Sequence, residues 1–210
     1  MLTLDQSLAF LAAAILLTLS PGPDNMLVLS LGMARGRLRG VAFGLGCALG
    51  CLSHTLLAVV GVSALIAASP LAFGALKVCG GLYLAWLGVG ALRSRGGGAV
   101  SAARSTGMAE SPRRLFLKGV FANAINPKVA LFFLSFLPQF VAPARGDANL
   151  QTALLGLAFT AQAAVLFGLL GWFSGSVGAW LNRRPRAGMW LDRCAGVVFI
   201  ALGLRLIVAR

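Results

Sequence analysis

The chain has 210 residues, 59% of them hydrophobic and 11% charged, with a mean hydropathy of +0.89. Soluble domains run near 45–50% apolar and about 25% charged, so this chain has too little polar surface to coat a globule. Its 18 Lys and Arg against five Asp and Glu give a net charge of +13, but they punctuate long charge-free runs, which excludes a soluble enzyme and a nucleic-acid binder and points to a membrane.

A membrane crossing needs about 20 apolar residues. Six stretches reach that length: 8–33, 41–69, 71–92, 115–141, 150–181 and 189–208. The expected fold is therefore an all-α polytopic membrane protein with six transmembrane helices.

The first stretch follows Met1-Leu2-Thr3-Leu4-Asp5-Gln6, with no Lys or Arg before Arg35. A cleaved secretory signal starts basic, so this stretch is expected to stay as a crossing. It is interrupted at Ser20-Pro21-Gly22-Pro23-Asp24-Asn25. Proline removes a helical hydrogen bond and clashes with the preceding turn. In lipid such a break survives only where it is buried in protein or lines a cavity.

Asp24 is the one acidic residue deep within a span, where a carboxylate costs about 2.5–3.5 kcal/mol. It reads as a binding or proton-coupling group, a helix cap, or both. The second stretch carries Cys47, Cys51 and His54 at i, i+4 and i+7, on one helical face. That spacing suits a soft metal, but three ligands on one helix with no second cluster also read as packing, and no metal site is assigned. His54 alone is a second proton-coupling candidate, since imidazole titrates near neutrality.

The second and third stretches are Gly-rich. Gly40/Gly44 and Gly46/Gly50, like Gly171/Gly175 further on, are small-xxx-small pairs that permit close helix approach, within one subunit or in a homodimer. The segment 93–114 is the only linker, basic and flexible with Gly96-Gly97-Gly98, and reads as a connector held near anionic headgroups.

The fourth stretch breaks at Asn123-Ala124-Ile125-Asn126-Pro127-Lys128. Lys128 either snorkels toward the surface or, beside Asn123 and Asn126, holds a carboxylate. Helices restarting at Pro23 and Pro127 offer free N–H groups to an anion. The fifth stretch is longer than a straight crossing, so tilt or an interfacial extension is expected.

The third and sixth stretches align at an offset of 115. Leu76 meets Leu191, Cys79 meets Cys194, Gly81 meets Gly196, Leu87 meets Leu202, and Gly88 meets Gly203. With the two proline breaks this predicts an inverted 3+3 repeat: residues 1–92, the linker 93–114, and residues 115–210. Corresponding breaks in two halves mark a transporter's binding site. Candidate binding residues are thus Pro21, Gly22, Pro23, Asp24, Asn25, Asn123, Asn126, Pro127 and Lys128.

Thirteen basic residues fall on one set of loops, from Arg35 through Lys118 to Arg193, against Lys77, Arg145, Arg205 and Arg210 on the other. The positive-inside rule then places both termini outside the cytoplasm. No cofactor is called for. Two rivals to transport of an organic zwitterion remain: a metal-ion exporter using Cys47, Cys51 and His54, and a thiol-based electron carrier drawing on Cys47, Cys51, Cys79 and Cys194.

The Pro-Gly-Pro motif at Pro21, the Arg35-Gly-Arg-Leu-Arg-Gly40 loop and His54 in a Gly-rich span resemble the LysE/RhtB amino-acid exporters. So does Asn126-Pro127-Lys128 followed by Leu131-Phe132-Phe133 and Phe136-Leu137-Pro138-Gln139-Phe140. The resemblance covers nearly the whole chain. It implies a bacterial inner-membrane carrier that expels amino acids on the proton gradient, in which the termini placed outside by the charge count would be periplasmic, and directs attention to Pro21, Gly22, Pro23, Asp24, Asn126, Pro127 and Lys128.

Overall fold

A computed structural model describes residues 2–62, 69–94 and 110–208. Most of the linker, 95–109, and the end of the second apolar stretch, 63–68, lie outside the described residues. Among the described residues every regular element is helical. In chain order they are α1 (Leu4–Leu19), α2 (Pro23–Arg35), α3 (Arg37–Leu57), α4 (Pro70–Arg93), α5 (Pro112–Ala124), α6 (Pro127–Leu131), α7 (Ala148–Trp172), α8 (Ser174–Arg183) and α9 (Pro185–Val208). A π turn (Ala58–Val62) extends α3. A π turn and a 3-10 turn carry α6 on to Phe140.

Three helical segments are long and apolar enough to cross a membrane: 37–61, 74–93 and 148–172. Two bent pairs pass the same test together, α1 with α2 at 55° and α5 with the 127–140 segment at 48°. The chain is a multi-pass membrane protein. Helix α9 occupies the sixth expected stretch and has the length, 24 residues, but carries Asp192, Arg193 and Arg205.

The long fifth stretch does not run as one tilted rod. Helix α7 stops at Trp172, Phe173 leaves helical geometry at φ −93° and ψ 11°, and α8 restarts at Ser174. No proline marks this stop. Ser174 instead sits where Gly32 lacks a side chain, its Oγ 2.1 Å from where a Gly32 Cβ would stand.

Glycines decide how the helices pack. At about 100° per residue, Gly40/Gly44 and Gly46/Gly50 fall on two different faces of α3, roughly 120° apart. A Cβ on Gly44 would meet the Phe167 carbonyl oxygen of α7 at 2.9 Å, and one on Gly46 the Phe116 oxygen of α5 at 2.0 Å. Helix α3 is thus sandwiched between α7 and α5, and these glycines are spent on packing inside the chain. Gly175 faces open space.

The pair α4 and α9 is reciprocal. Gly81 lies against the Gly203 carbonyl and Gly203 against that of Gly81. Gly88 and Gly196 do the same to each other. The two helices run antiparallel, and the residues matched at an offset of 115 exchange places across the contact.

On the side where α2 meets α3, Glu110 ties several elements together. Its carboxylate lies 2.6 Å from Lys118 Nζ, 3.5 Å from Arg35 Nη1 and 3.9 Å from Arg114 Nε. Its carbonyl oxygen accepts from Arg39 Nε at 3.2 Å, and Arg39 Nη1 also donates to the Arg35 carbonyl at 2.7 Å. Hydrogen bonding to Lys118, helped by Arg114 and Arg35, holds the Glu110 carboxyl below the usual carboxylate range. A depressed folded-state pKa adds stability above the unfolded pKa and loses it as pH falls through the folded one. Glu110→Gln is therefore expected to lower the melting temperature in detergent by about 1–3 °C at neutral pH. That gap should close on acidification; a gap independent of pH would refute the ion-pair account.

Candidate functional site

The two breaks meet in the middle of the fold, and the carbonyls they free account for most of the side chains there. Pro21 has no N–H, so the Leu17 carbonyl loses its helical donor; Ser20 Oγ supplies one at 2.7 Å. Asn25 Nδ2 donates to the Thr18 carbonyl at 2.8 Å. Lys128 Nζ donates to the Ser20 carbonyl at 2.9 Å and to its Oγ at 2.6 Å.

In the second break Pro127 deprives the Asn123 carbonyl. Asn126 N–H reaches that oxygen at 2.8 Å, and His54 Nε2 lies 2.9 Å from it. A carbonyl only accepts, so His54 Nε2 carries its hydrogen. His54 Nδ1 is buried with no partner among the described residues.

Asp24 is the acceptor that joins the breaks. Its Oδ2 takes hydrogen bonds from Asn123 Nδ2 at 2.8 Å and Asn126 Nδ2 at 2.9 Å. The amide orientations are forced: Asn126 Oδ1 accepts from the Lys128 backbone N–H at 3.0 Å, and Asn123 Oδ1 lies 3.4 Å from Cys51 Sγ. Asn123 thus touches Asp24, Cys51 and His54 at once. Each bond to a carboxylate contributes about 1.5–3 kcal/mol, which offsets the cost of holding a residue only 4% exposed.

Lys128 is 7% exposed and does not snorkel. Its ammonium has three donors, of which two go to Ser20 rather than to Asp24, and it lies 5.2 Å from the Phe199 ring centroid. Gly22 makes room for it: a Cβ there would stand 3.2 Å from Nζ.

Of the two restarting helices, α6 has its first turn capped by Asn126, whereas α2 follows Gly22 with no side-chain cap. The first-turn amides of α2 thus have no side-chain cap, while those of α6 do.

Gly22, Asp24, Asn25, Asn123, Asn126 and Lys128 line a cavity of about 20 Å³. That is room for a water molecule and not for an amino acid. Pro21 is half-buried, and Pro23 and Pro127 are exposed; they shape the breaks and do not form the wall. His54 stands behind Asn123.

Sequence reasoning missed Ser20, Thr18 and Gln162 as members of this network, together with Phe159, Phe167 and Phe199. Gln162 was findable, since an amide inside an apolar stretch needs a partner; it donates to Thr18 Oγ1 at 2.9 Å.

The cysteines divide. Cys47 and Cys51 are buried while Cys79 and Cys194 are exposed, and all four are free thiols. Cys51 Sγ approaches the Cys47 carbonyl and Asn123. Among the described residues no group of three or more His, Cys, Asp or Glu is gathered to hold a metal ion.

A family model described as LysE type translocator matches residues 15–210. The chain is 32% identical over 202 residues to a threonine efflux protein of Escherichia coli K12, covering 91% of this chain and 92% of that one. It is 30% identical over 209 residues to a homoserine/homoserine lactone efflux protein of Salmonella typhimurium, covering 100% and 99%. It is 30% identical over 210 residues to a leucine efflux protein of Klebsiella pneumoniae, covering 95% and 93%. No solved structure matches.

Proposed function

The chain belongs to the LysE type translocators, and on that premise we propose that it is a secondary-active exporter of amino acids or closely related small zwitterions, driven by the proton gradient across the bacterial inner membrane. The three relatives described above are named efflux proteins. The observation that carries the reading is one buried carboxylate and one buried ammonium on the wall of a single cavity, each contributed by a different broken helix.

The substrate ammonium binds Asp24. Its carboxylate binds Lys128 and the uncapped amides at the start of α2, where the helix dipole favours negative charge. Pro21, Pro23 and Pro127 keep the backbone unwound so that these groups face inward, and Asn25, Asn123 and Asn126 hold the walls. Protons travel through Asp24, with His54 linked to it by Asn123.

The architecture we propose is six crossings in two inverted halves, residues 1–92 and 115–210, joined by the basic cytoplasmic linker 93–114, with both termini periplasmic. The reciprocal glycine contacts of α4 and α9 and the paired breaks support it. The small cavity fits a carrier whose two halves must part to load, as alternating access demands. The lipid bilayer is its surroundings, and nothing in the site favours a second subunit.

The test is a bacterial strain lacking its own exporters, expressing this chain and challenged with single amino acids and toxic analogues. Tolerance should rise for amino acids and be lost when the proton gradient is collapsed. Tolerance that rises only for metal cations would overturn the reading, and tolerance that survives an uncoupler would remove proton coupling.

A further inference from the structure

The bonds that join the two breaks copy the chemistry of a zwitterion. Asn123 and Asn126 donate to Asp24 Oδ2, as an incoming ammonium would. The Ser20 carbonyl and hydroxyl oxygens accept from Lys128 Nζ, as an incoming carboxylate would. Ser20 Oγ gives its own hydrogen to the Leu17 carbonyl, so toward Lys128 it acts only as an acceptor. Among the described residues no ion pair joins Asp24 to Lys128. Each charge is satisfied instead by neutral groups of the opposite break.

The same bonds close the space. The cavity they border measures about 20 Å³, and a Cβ on Gly22 would stand 3.2 Å from Lys128 Nζ. An amino acid cannot enter while all four bonds stand. A ligand shifts a conformational equilibrium only by binding one state better than the other. The state that a zwitterion binds better is the one in which Asp24 and Lys128 have released their neutral partners.

Resting on the export reading above, we propose that these four bonds are a latch between the two halves, released when the substrate replaces them. The loaded carrier then moves between its two faces faster than the empty one. Ser20 is a positioning residue of the latch, holding Lys128 at the end of α1 and away from Asp24. Exchange of substrate for substrate needs only the loaded movement. Net efflux also needs the empty return, in which the bonds must break with nothing to replace them. A barrier higher by one charge-assisted hydrogen bond slows a step about tenfold.

The test reconstitutes the full chain into liposomes loaded with a radiolabelled mixture of the protein amino acids and homoserine, with equal pH on both faces. Loss of label into plain buffer reads net efflux, and loss into the same mixture unlabelled reads exchange. Wild-type exchange should be at least about tenfold faster than net efflux. Ser20→Ala removes one bond from Lys128, and Asn126→Ser keeps a cap for α6 while removing an amide from Asp24. Each should lower the ratio at least about threefold by speeding the empty return, while Ser20→Thr keeps it. A substitution that merely weakened the fold would lower both rates and leave their ratio alone. The wild-type ratio decides even if a variant fails to fold.

A wild-type ratio near one, or a ratio unmoved in both Ser20→Ala and Asn126→Ser, would overturn the latch and leave amino-acid export standing. A wild-type chain that moves no label in either condition overturns both.

Discussion

Asp24→Asn is expected to reduce export at least about 100-fold while the protein still inserts and melts near the wild-type temperature. The geometry makes this substitution unusually clean. Asn123 and Asn126 both donate to Asp24 Oδ2, and an asparagine Oδ1 in the same place accepts from the same two amides. What disappears is the negative charge and the ability to bind and release a proton. A substrate ammonium then meets a neutral amide, and each charge-assisted bond forgone removes about 1.5–3 kcal/mol. Efflux from loaded vesicles, corrected for inserted protein, is the measurement. Export at the wild-type rate would remove Asp24 from the mechanism.

Gly119→Ala is expected to destabilise the fold by roughly 3 kcal/mol or more and to prevent accumulation in the membrane. A Cβ at Gly119 would stand 2.1 Å from the Phe43 carbonyl oxygen and 2.9 Å from the Cys47 nitrogen. Both are backbone atoms of α3, so no side chain can swing away and the two helices must separate. Gly90→Ala is the control, because nothing lies within 4 Å of its added Cβ; it should change stability by about 0.5 kcal/mol or less. Membrane-fraction abundance and thermal melts check both, and equal behaviour of the two variants would refute close packing of α3 on α5.

Much of this site was legible because proline and charge carry their physics locally. Pro21, Pro23 and Pro127 lack an N–H wherever they occur, so unwound backbone beside them follows from the residue type alone. Asp24 stood out because an ionised group within an apolar run needs a partner. The partners themselves were not legible. Lys128 grips Ser20, and Asp24 takes both asparagines, because of how α2 crosses the second break, and no spacing within either segment encodes that crossing.

The faces of α3 could have been read from Gly40/Gly44 and Gly46/Gly50, which point in clearly different directions at helical pitch. Which neighbour each face meets depends on contacts far along the chain. The stop at Phe173 had only the Ser174-Gly175-Ser176 run to announce it, and its cause, a serine seated on Gly32, lies about 140 residues away in sequence.

The bond between Asp24 and its amides has a consequence for how the protein is made. Asn123 and Asn126 follow Asp24 by 99 and 102 residues. At about 5–20 residues per second, a ribosome needs roughly 5–20 s to deliver them. For that interval the nascent first helices present a carboxylate with no amide to receive it, so synthesis passes through a stage in which the insertion machinery must shelter what the finished protein later solvates. A chain truncated in the linker is held permanently at that stage, which makes quality control sensitive to one buried acid long before any substrate is encountered.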